Sequence, residues 1–172
     1  MAPKPTIRRV NFSDKALLVS AHVANRDFHR PWCAPFTDDD GFDNWWSSQI
    51  TGPKVGFVAL DDESRLVGVV NLSEIVFGSF RSAYLGYYGM REGCGRGLMT
   101  EAVRAVGIIA FRELGLHRLE ANIQPDNVRS IRLVERLKFR REGYSPRYLQ
   151  IDGAWRDHER WALLADSGTT DS

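Results

Sequence analysis

From Tyr84 to Met99 the chain reads Tyr-Leu-Gly-Tyr-Tyr-Gly-Met-Arg-Glu-Gly-Cys-Gly-Arg-Gly-Leu-Met, residue types that together suit the holding of an anion. A strand rich in Tyr and Leu gives way to alternate glycines at Gly93, Gly95 and Gly97. Then Leu98, Ala102, Ala105 and Ile109 recur at helical steps. Glycines let backbone N–H groups turn toward a ligand with no Cβ in the way, and the first four N–H groups of a helix lack internal partners. Phosphate oxygens can supply those partners. A P-loop needs Lys and then Ser or Thr after its last glycine, where Leu98 and Met99 stand, so that template is excluded. The dinucleotide fingerprint is closer, with Glu120 on the following strand where a ribose-binding acid could sit, but the third glycine falls one position early. A plain strand-to-helix connection without a ligand is the remaining reading.

A second stretch, Glu120-Ala121-Asn122-Ile123-Gln124-Pro125-Asp126-Asn127-Val128-Arg129-Ser130, carries further candidates. Glu120 and Asn122 project from one face of a strand. The Glu120 carboxylate could draw a proton from an ammonium through water, and Asn122 could only orient one; the plain alternative for Glu120 is an ion pair with Arg118. Asn127 and Ser130 stand three apart at a helix start, a spacing that also suits simple capping.

These stretches occur in order with Asn25-Arg26-Asp27-Phe28-His29-Arg30-Pro31-Trp32, Gly78-Ser79-Phe80, Tyr84-Leu85-Gly86-Tyr87 and Asp152-Gly153-Ala154-Trp155-Arg156-Asp157-His158. Together they make the chain resemble the GNAT superfamily of acetyl-coenzyme A dependent N-acetyltransferases. Within it the likeness is to the ribosomal-protein-alanine N-acetyltransferase subgroup, over roughly Asn25 to Leu163. The resemblance implies acetyl-CoA as cofactor, its pyrophosphate held by the backbone from Cys94 through Gly95, Arg96, Gly97 and Leu98 to Met99, with charge from Arg91 and Arg96. It implies a backbone donor for the thioester carbonyl at Tyr88, Gly89 or Met90. It assigns Asn127 and Ser130 to coenzyme A, with Ser130 as donor to the leaving thiolate. Elsewhere in the superfamily a Tyr on this helix has that role, and Val134 stands there here. Phe28, His29, Trp32, Tyr144, Tyr148, Asp157 and His158 fall in segments that resemble the acceptor wall. With Glu120 and Asn122 from the strand face above, the candidate catalytic set is Glu120, Asn122 and Ser130. The implied reaction is transfer to a primary amine, foremost a protein N-terminus. A peptide α-amine, with a pKa of about 8 against about 10.4 for Lys, has a neutral fraction at pH 7 hundreds of times larger, which favours it where the base is weak. The same scaffold also acetylates small amines, and a coenzyme A binding module without turnover is a further alternative.

The elements needed to position these residues are legible. Ile7 to Val10 suits a strand. Ser13 or Asp14 offers a cap for a helix bearing Leu17, Leu18, Ala21, Ala24 and Phe28, ended by Pro31. Thr37 with Asp40 opens a second helix whose apolar side is Phe42, Trp45, Trp46 and Ile50. Val55 to Leu60, Leu66 to Val76 and Ser82 to Tyr88 predict an antiparallel meander, unlike a dinucleotide sheet, which alternates strand and helix from its start. A helix from Leu98 to Leu114 and a strand from His117 to Ile123 then form one βαβ crossover, so their strands run parallel. A helix to about Lys138 and a closing hairpin turning on Asp152-Gly153 complete a single α/β domain (α+β), a mixed twisted GNAT-like sheet over residues 7–164, with a lead-in over 1–6 and a tail over 165–172.

With 172 residues, 43% of them hydrophobic, the chain suits one domain. A net charge of +1 gives no general field for nucleic acid or an anionic membrane, and no apolar run reaches bilayer length. A cytoplasmic monomer or homodimer is expected. Cys33 and Cys94 lack metal-ligand or disulfide spacing and read as free thiols, so no metal is expected.

Overall fold

The computed structural model describes residues 4–165, so residues 1–3 of the expected lead-in and 166–172 of the expected tail lie outside the described residues. Seven strands form one sheet in the order β1-β2-β3-β4-β5-β7-β6. They are β1 (Thr6–Arg9), β2 (Val55–Leu60), β3 (Leu66–Val76), β4 (Ser82–Gly89), β5 (Arg118–Ile123), β6 (Arg140–Ile151) and β7 (Ala154–Leu164). Only β4 and β5 are parallel neighbours, joined by α4 (Leu98–Arg112); every other pair is antiparallel. The mixed sheet with an antiparallel meander, one crossover and a closing hairpin is therefore as expected.

Strand periodicity sends alternate side chains to two cores. On one face Val70, Leu72, Leu85, Leu119, Ala121 and Ile123 pack with Leu98, Ala102 and Val106 of α4 and with Val134 of α5 (Val128–Arg136). On the other, Val58 and Val69 pack with Leu18 of α1 (Lys15–Ala24) and Phe42 of α3 (Asp39–Thr51). α1 and α3 cover the β1-to-β4 half of this face, while α4 and α5 pack on the opposite one.

Several local expectations are corrected. The first helix is preceded by a 3₁₀ turn, Phe12–Asp14, capped by Asn11, whose N–H donates to the Asp14 carboxylate at 2.8 Å. It also stops at Ala24. Asn25 bonds back to the Ala21 carbonyl at 2.9 Å, the competition with the backbone that makes Asn a poor mid-helix residue, and a short α2 (Arg26–His29) follows. Asp38, not Thr37, caps α3 by accepting the Gly41 N–H at 2.7 Å, and Ile50 is 66% exposed rather than packed. The buried stripe of α4 is Leu98, Ala102, Val103, Val106 and Ala110; Ala105 and Ile109 are only half-buried. The helix lies against a sheet, so its contact face is broader than one row.

Candidate functional site

Paired rungs between β4 and β5 stop at Tyr84 and Glu120. Beyond them β4 continues on β3 to Gly89 and β5 continues on β7 to Ile123, so the two strands part. The residues beyond the last rung, Leu85 to Gly89 on one side and Ala121 to Ile123 on the other, line a cavity of about 730 Å³. Met90 N–H donates to the Val67 carbonyl at 2.7 Å. Alternation along an antiparallel ladder then turns the Gly89 and Tyr87 N–H groups to the other edge, toward the gap. Of the three expected carbonyl donors, Tyr88, Gly89 and Met90, only Gly89 has its N–H directed to the gap. Met90 is unsuitable, since its N–H is taken and its side chain is buried in the α1/α3 core, and the Tyr88 N–H points to β3 with it.

The loop from β4 to α4 begins at the cavity. Arg91 N–H donates to Asn25 Oδ1 at 2.8 Å, which ties the loop to the α1–α2 junction. The Arg91 and Arg129 guanidinium groups lie 5.1 and 6.0 Å from the Phe28 ring centroid, and all three residues line the cavity. Cys94 and Met99 line it as well. Gly95, Arg96 and Gly97 form the exposed link to α4, while the Leu98 side chain is core. Gly97 caps α4 in the left-handed region (φ 76°), where a side chain would be strained, and leaves the first helical N–H groups open to a ligand. Arg96 reaches Asp61 at 3.4 Å. Burial opposes the charge of Asp61, but the Arg65 and Glu63 N–H groups and the Arg65 guanidinium outweigh it and hold the carboxyl down to about 2. Arg96 thus anchors the loop in addition to charging it.

Asn127 Oδ1 accepts the Ser130 N–H at 3.3 Å, and Ser130 Oγ lies 2.6 Å from the Tyr87 hydroxyl. Burial raises the Tyr87 pKa, so the phenol keeps its proton. Val134 is fully buried and only packs.

The acceptor candidates divide. Phe28, His29, Trp32, Asn122 and His158 line the cavity. His29 is buried, its Nε2 facing the Gly89 carbonyl at 3.0 Å; Nε2 therefore donates, which leaves Nδ1 as the lone-pair nitrogen, buried without a partner. Burial lowers its pKa, against that hydrogen bond. Beside it His22 Nδ1 donates to the Phe36 carbonyl at 2.9 Å and Nε2 accepts from the Tyr88 hydroxyl at 3.2 Å; burial takes His22 down to about 4. His158 Nδ1 donates to the Arg156 carbonyl at 2.9 Å, leaving Nε2 as the lone-pair nitrogen, and burial lowers its pKa although Asp157 opposes this.

Glu120, Tyr144, Tyr148 and Asp157 are not among the lining residues. Glu120 sits on the last closed rung and pairs with Arg118 at 2.8 Å, so the strand geometry that parts β5 from β4 excludes it from the gap. The Asp157 carboxylate is already engaged by the Tyr144 hydroxyl and the Arg147 N–H, which lower its pKa and make it a brace within the hairpin. Tyr148 bonds Tyr84, whose hydroxyl is thereby pushed up to about 12, and its ring lies 6.3 Å from that of His158.

A gap between diverging strands beside a glycine-opened helix start decides the comparison with known proteins. Residues 5–140 match the family model for the acetyltransferase (GNAT) domain. The chain belongs to the GNAT acetyltransferase family. It is 36% identical over 172 aligned residues to the [Ribosomal protein uS5]-alanine N-acetyltransferase of Escherichia coli, covering 95% of this chain and 89% of that one. The ribosomal-protein-S5-alanine acetyltransferase structure from Vibrio fischeri superposes with a TM-score of 0.83 at 28% identity, covering 94% of this chain and 93% of that one. Mycobacterium smegmatis RimJ, solved with CoA-disulfide, superposes with a TM-score of 0.84 at 28% identity, covering 92% and 81%.

As a GNAT enzyme the chain is an acetyl-CoA dependent N-acetyltransferase. Its residues fit that cofactor. Open helix N–H groups and two arginines suit a diphosphate, and the unpaired edges of β4 and β5 suit an extended amide-bearing arm. Several lining residues escaped sequence reasoning, Tyr87, Arg129 and Asn71 among them. Tyr87 and Arg129 stood inside motifs already quoted without being given a role, and Asn71 was a lone polar residue in the apolar run Leu66-Val67-Gly68-Val69-Val70-Asn71-Leu72.

Proposed function

We propose that this GNAT enzyme acetylates the N-terminal α-amine of a protein, of the ribosomal-protein-alanine type. The parting of β4 and β5 beside the α4 start carries the reading, because it offers one opening for both a phosphate-anchored donor and an amine. Likeness to the E. coli enzyme along 95% of the chain supports the acceptor class.

When bound, acetyl-CoA supplies an acyl group already activated as a thioester. The backbone from Cys94 to Met99, with Arg91 and Arg129, holds phosphate. The Gly89 N–H donates to the carbonyl oxygen, and His29, by holding the Gly89 carbonyl, fixes that peptide plane. Ser130 donates to the departing sulfur, its hydroxyl oriented by Tyr87. Asn122 orients the amine, and neutral His158 offers Nε2 to its proton.

Free-thiol release tests the reading with a short alanine-started peptide and with a polyamine. Release with the peptide is the expected result. Release with the polyamine alone makes this a small-amine enzyme. A thermal shift with coenzyme A but no release with any amine makes it a binding module.

A further inference from the structure

The two peptide planes that flank Met90 have every polar group engaged. In the first, the Met90 N–H donates to the Val67 carbonyl at 2.7 Å, and the Gly89 carbonyl accepts from His29 Nε2 at 3.0 Å. In the second, the Met90 carbonyl accepts the Gly93 N–H at 3.1 Å, and the Arg91 N–H donates to Asn25 Oδ1 at 2.8 Å. Two of these four bonds belong to the β3–β4 ladder and to the turn itself. The other two come from side chains far back in the chain, His29 lying 60 residues before Gly89 and Asn25 lying 66 before Arg91.

Asn25 and His29 stand four apart at the two ends of α2, with the His29 N–H bonded to the Asn25 carbonyl at 2.9 Å, so one helical turn presents both on one face. Each residue is only 3% exposed. The Asn25 amide has one workable orientation. Its Nδ2 donates to the Ala21 carbonyl at 2.9 Å, and turning it over would set oxygen against that carbonyl and nitrogen against the Arg91 N–H. The turn thus closes on the end of β4 at two points, one on each side of Met90. It is itself moored across the gap, where Gln124, one residue past β5, donates through Nε2 to the Pro31 carbonyl at 3.2 Å. In an extended strand a residue's N–H and C=O point to the same edge, so fixing the Gly89 carbonyl fixes the direction of the Gly89 N–H.

We propose that Asn25 is a positioning residue for acetyl transfer: by holding the Arg91 N–H while His29 holds the Gly89 carbonyl, it keeps the Gly89 N–H aimed at the thioester carbonyl. The inference rests on the assignment of that N–H as carbonyl donor and adds what aims it. Asn25 is not among the residues lining the cavity, so its effect travels through the backbone. A single tether at the Gly89 carbonyl leaves the strand end free to pivot about it, and a second tether at Arg91 removes that pivot. A donor that needs no reorganisation as charge develops on the carbonyl oxygen is the one that lowers the barrier most. Aspartate in place of Asn25 would still accept from Arg91 but lose the bond to Ala21; leucine would fill the space and hold neither.

The test binds acetyl-CoA, isotope-labelled at the acetyl carbonyl carbon, to the full chain without an amine and reads the carbonyl stretch by difference infrared spectroscopy. A hydrogen bond to that oxygen lowers the frequency, and wild type is expected to show the downshift. Asn25→Leu is expected to lose about half of it or more and to lower kcat with an alanine-started peptide about tenfold, while coenzyme A affinity by calorimetry changes less than about threefold. Asn25→Ala stands in if the leucine variant fails to fold. Asn25→Asp, which keeps an oxygen for the Arg91 N–H, is expected to regain most of the downshift. A full downshift in the leucine or alanine variant, whatever its kcat, overturns the role of Asn25 and leaves the Gly89 N–H as donor. A downshift lost equally in the aspartate variant makes Asn25 a packing residue and overturns it as well. If wild type binds acetyl-CoA with no downshift, the donor assignment itself falls, and the role of Asn25 with it.

Discussion

The two sides of the gap are built differently. The donor side is nearly continuous chain, Gly89 to Met99 with Asn127 to Ser130, and most of what it offers is main-chain N–H held open by a glycine bend. The acceptor side, as proposed, is assembled from Asn122 and His158 on neighbouring strands and from His29 of α2, side chains of the cavity wall that only register and packing bring together. A ligand shared across a family can be held by backbone, which tolerates changes of side chain. A particular amine has to be recognised by side chains, whose identity is free to change.

Where the two sides meet sit His22 and His29, both buried, bracing Tyr88 and the Gly89 carbonyl. In the unfolded chain His22 titrates near its ordinary value, about 6.5, whereas the folded chain holds it down to about 4. Below pH 6.5 the unfolded state takes up the proton first, so stability is full above that value and declines as pH falls toward 4. The total loss is about 3 kcal/mol. Urea denaturation between pH 7 and 4, compared with His22→Gln, checks it: the variant should lack this part of the acid sensitivity. An equal slope in both would mean that His22 does not support Tyr88 in this way.

Ser130 and Tyr87 join the two sides, and their effect should fall on the chemical step. Ser130→Ala is expected to lower kcat about a hundredfold with little change in acetyl-CoA KM, since general-acid groups commonly contribute that much. Tyr87→Phe should cost less, because Ser130 retains its hydroxyl and its Asn127 contact. A rise in KM alone would make the pair a binding contact.

The same contrast explains what could be read from the chain. The glycine loop, the crossover and the Asp152-Gly153 hairpin are local patterns, and each appears where its spacing predicted. Asn127 and Ser130 were legible because a helix start fixes both at once. Glu120 was misleading: being on the same strand face as Asn122 was correct, but no spacing reveals that the strands part just after Glu120 and before Asn122. Asp157 was likewise placed on the acceptor wall, but the hairpin brings Tyr144 and Arg147 to its carboxylate. Lys138, just past the helix end, takes a left-handed backbone (φ 66°), a conformation its residue type does not announce. Tyr87 went unassigned because its partner is 43 residues away.

Gly97→Val probes the donor side alone. Gly97 has φ 76° and a Cβ there would meet no protein atom within 4 Å, so the substitution adds left-handed strain and a branched side chain at the helix mouth without a clash. Relief of that strain would turn the first α4 N–H groups away from the phosphates. Left-handed strain of about 1–2 kcal/mol corresponds to about a tenfold loss of coenzyme A affinity if binding has to restore the native bend. Calorimetry should report that loss, and at saturating acetyl-CoA the peptide KM should be within about twofold of wild type. A variant that loses peptide affinity in step with coenzyme A would mean that the two sides are not separable, and that the acceptor surface forms only once the phosphate grip has closed.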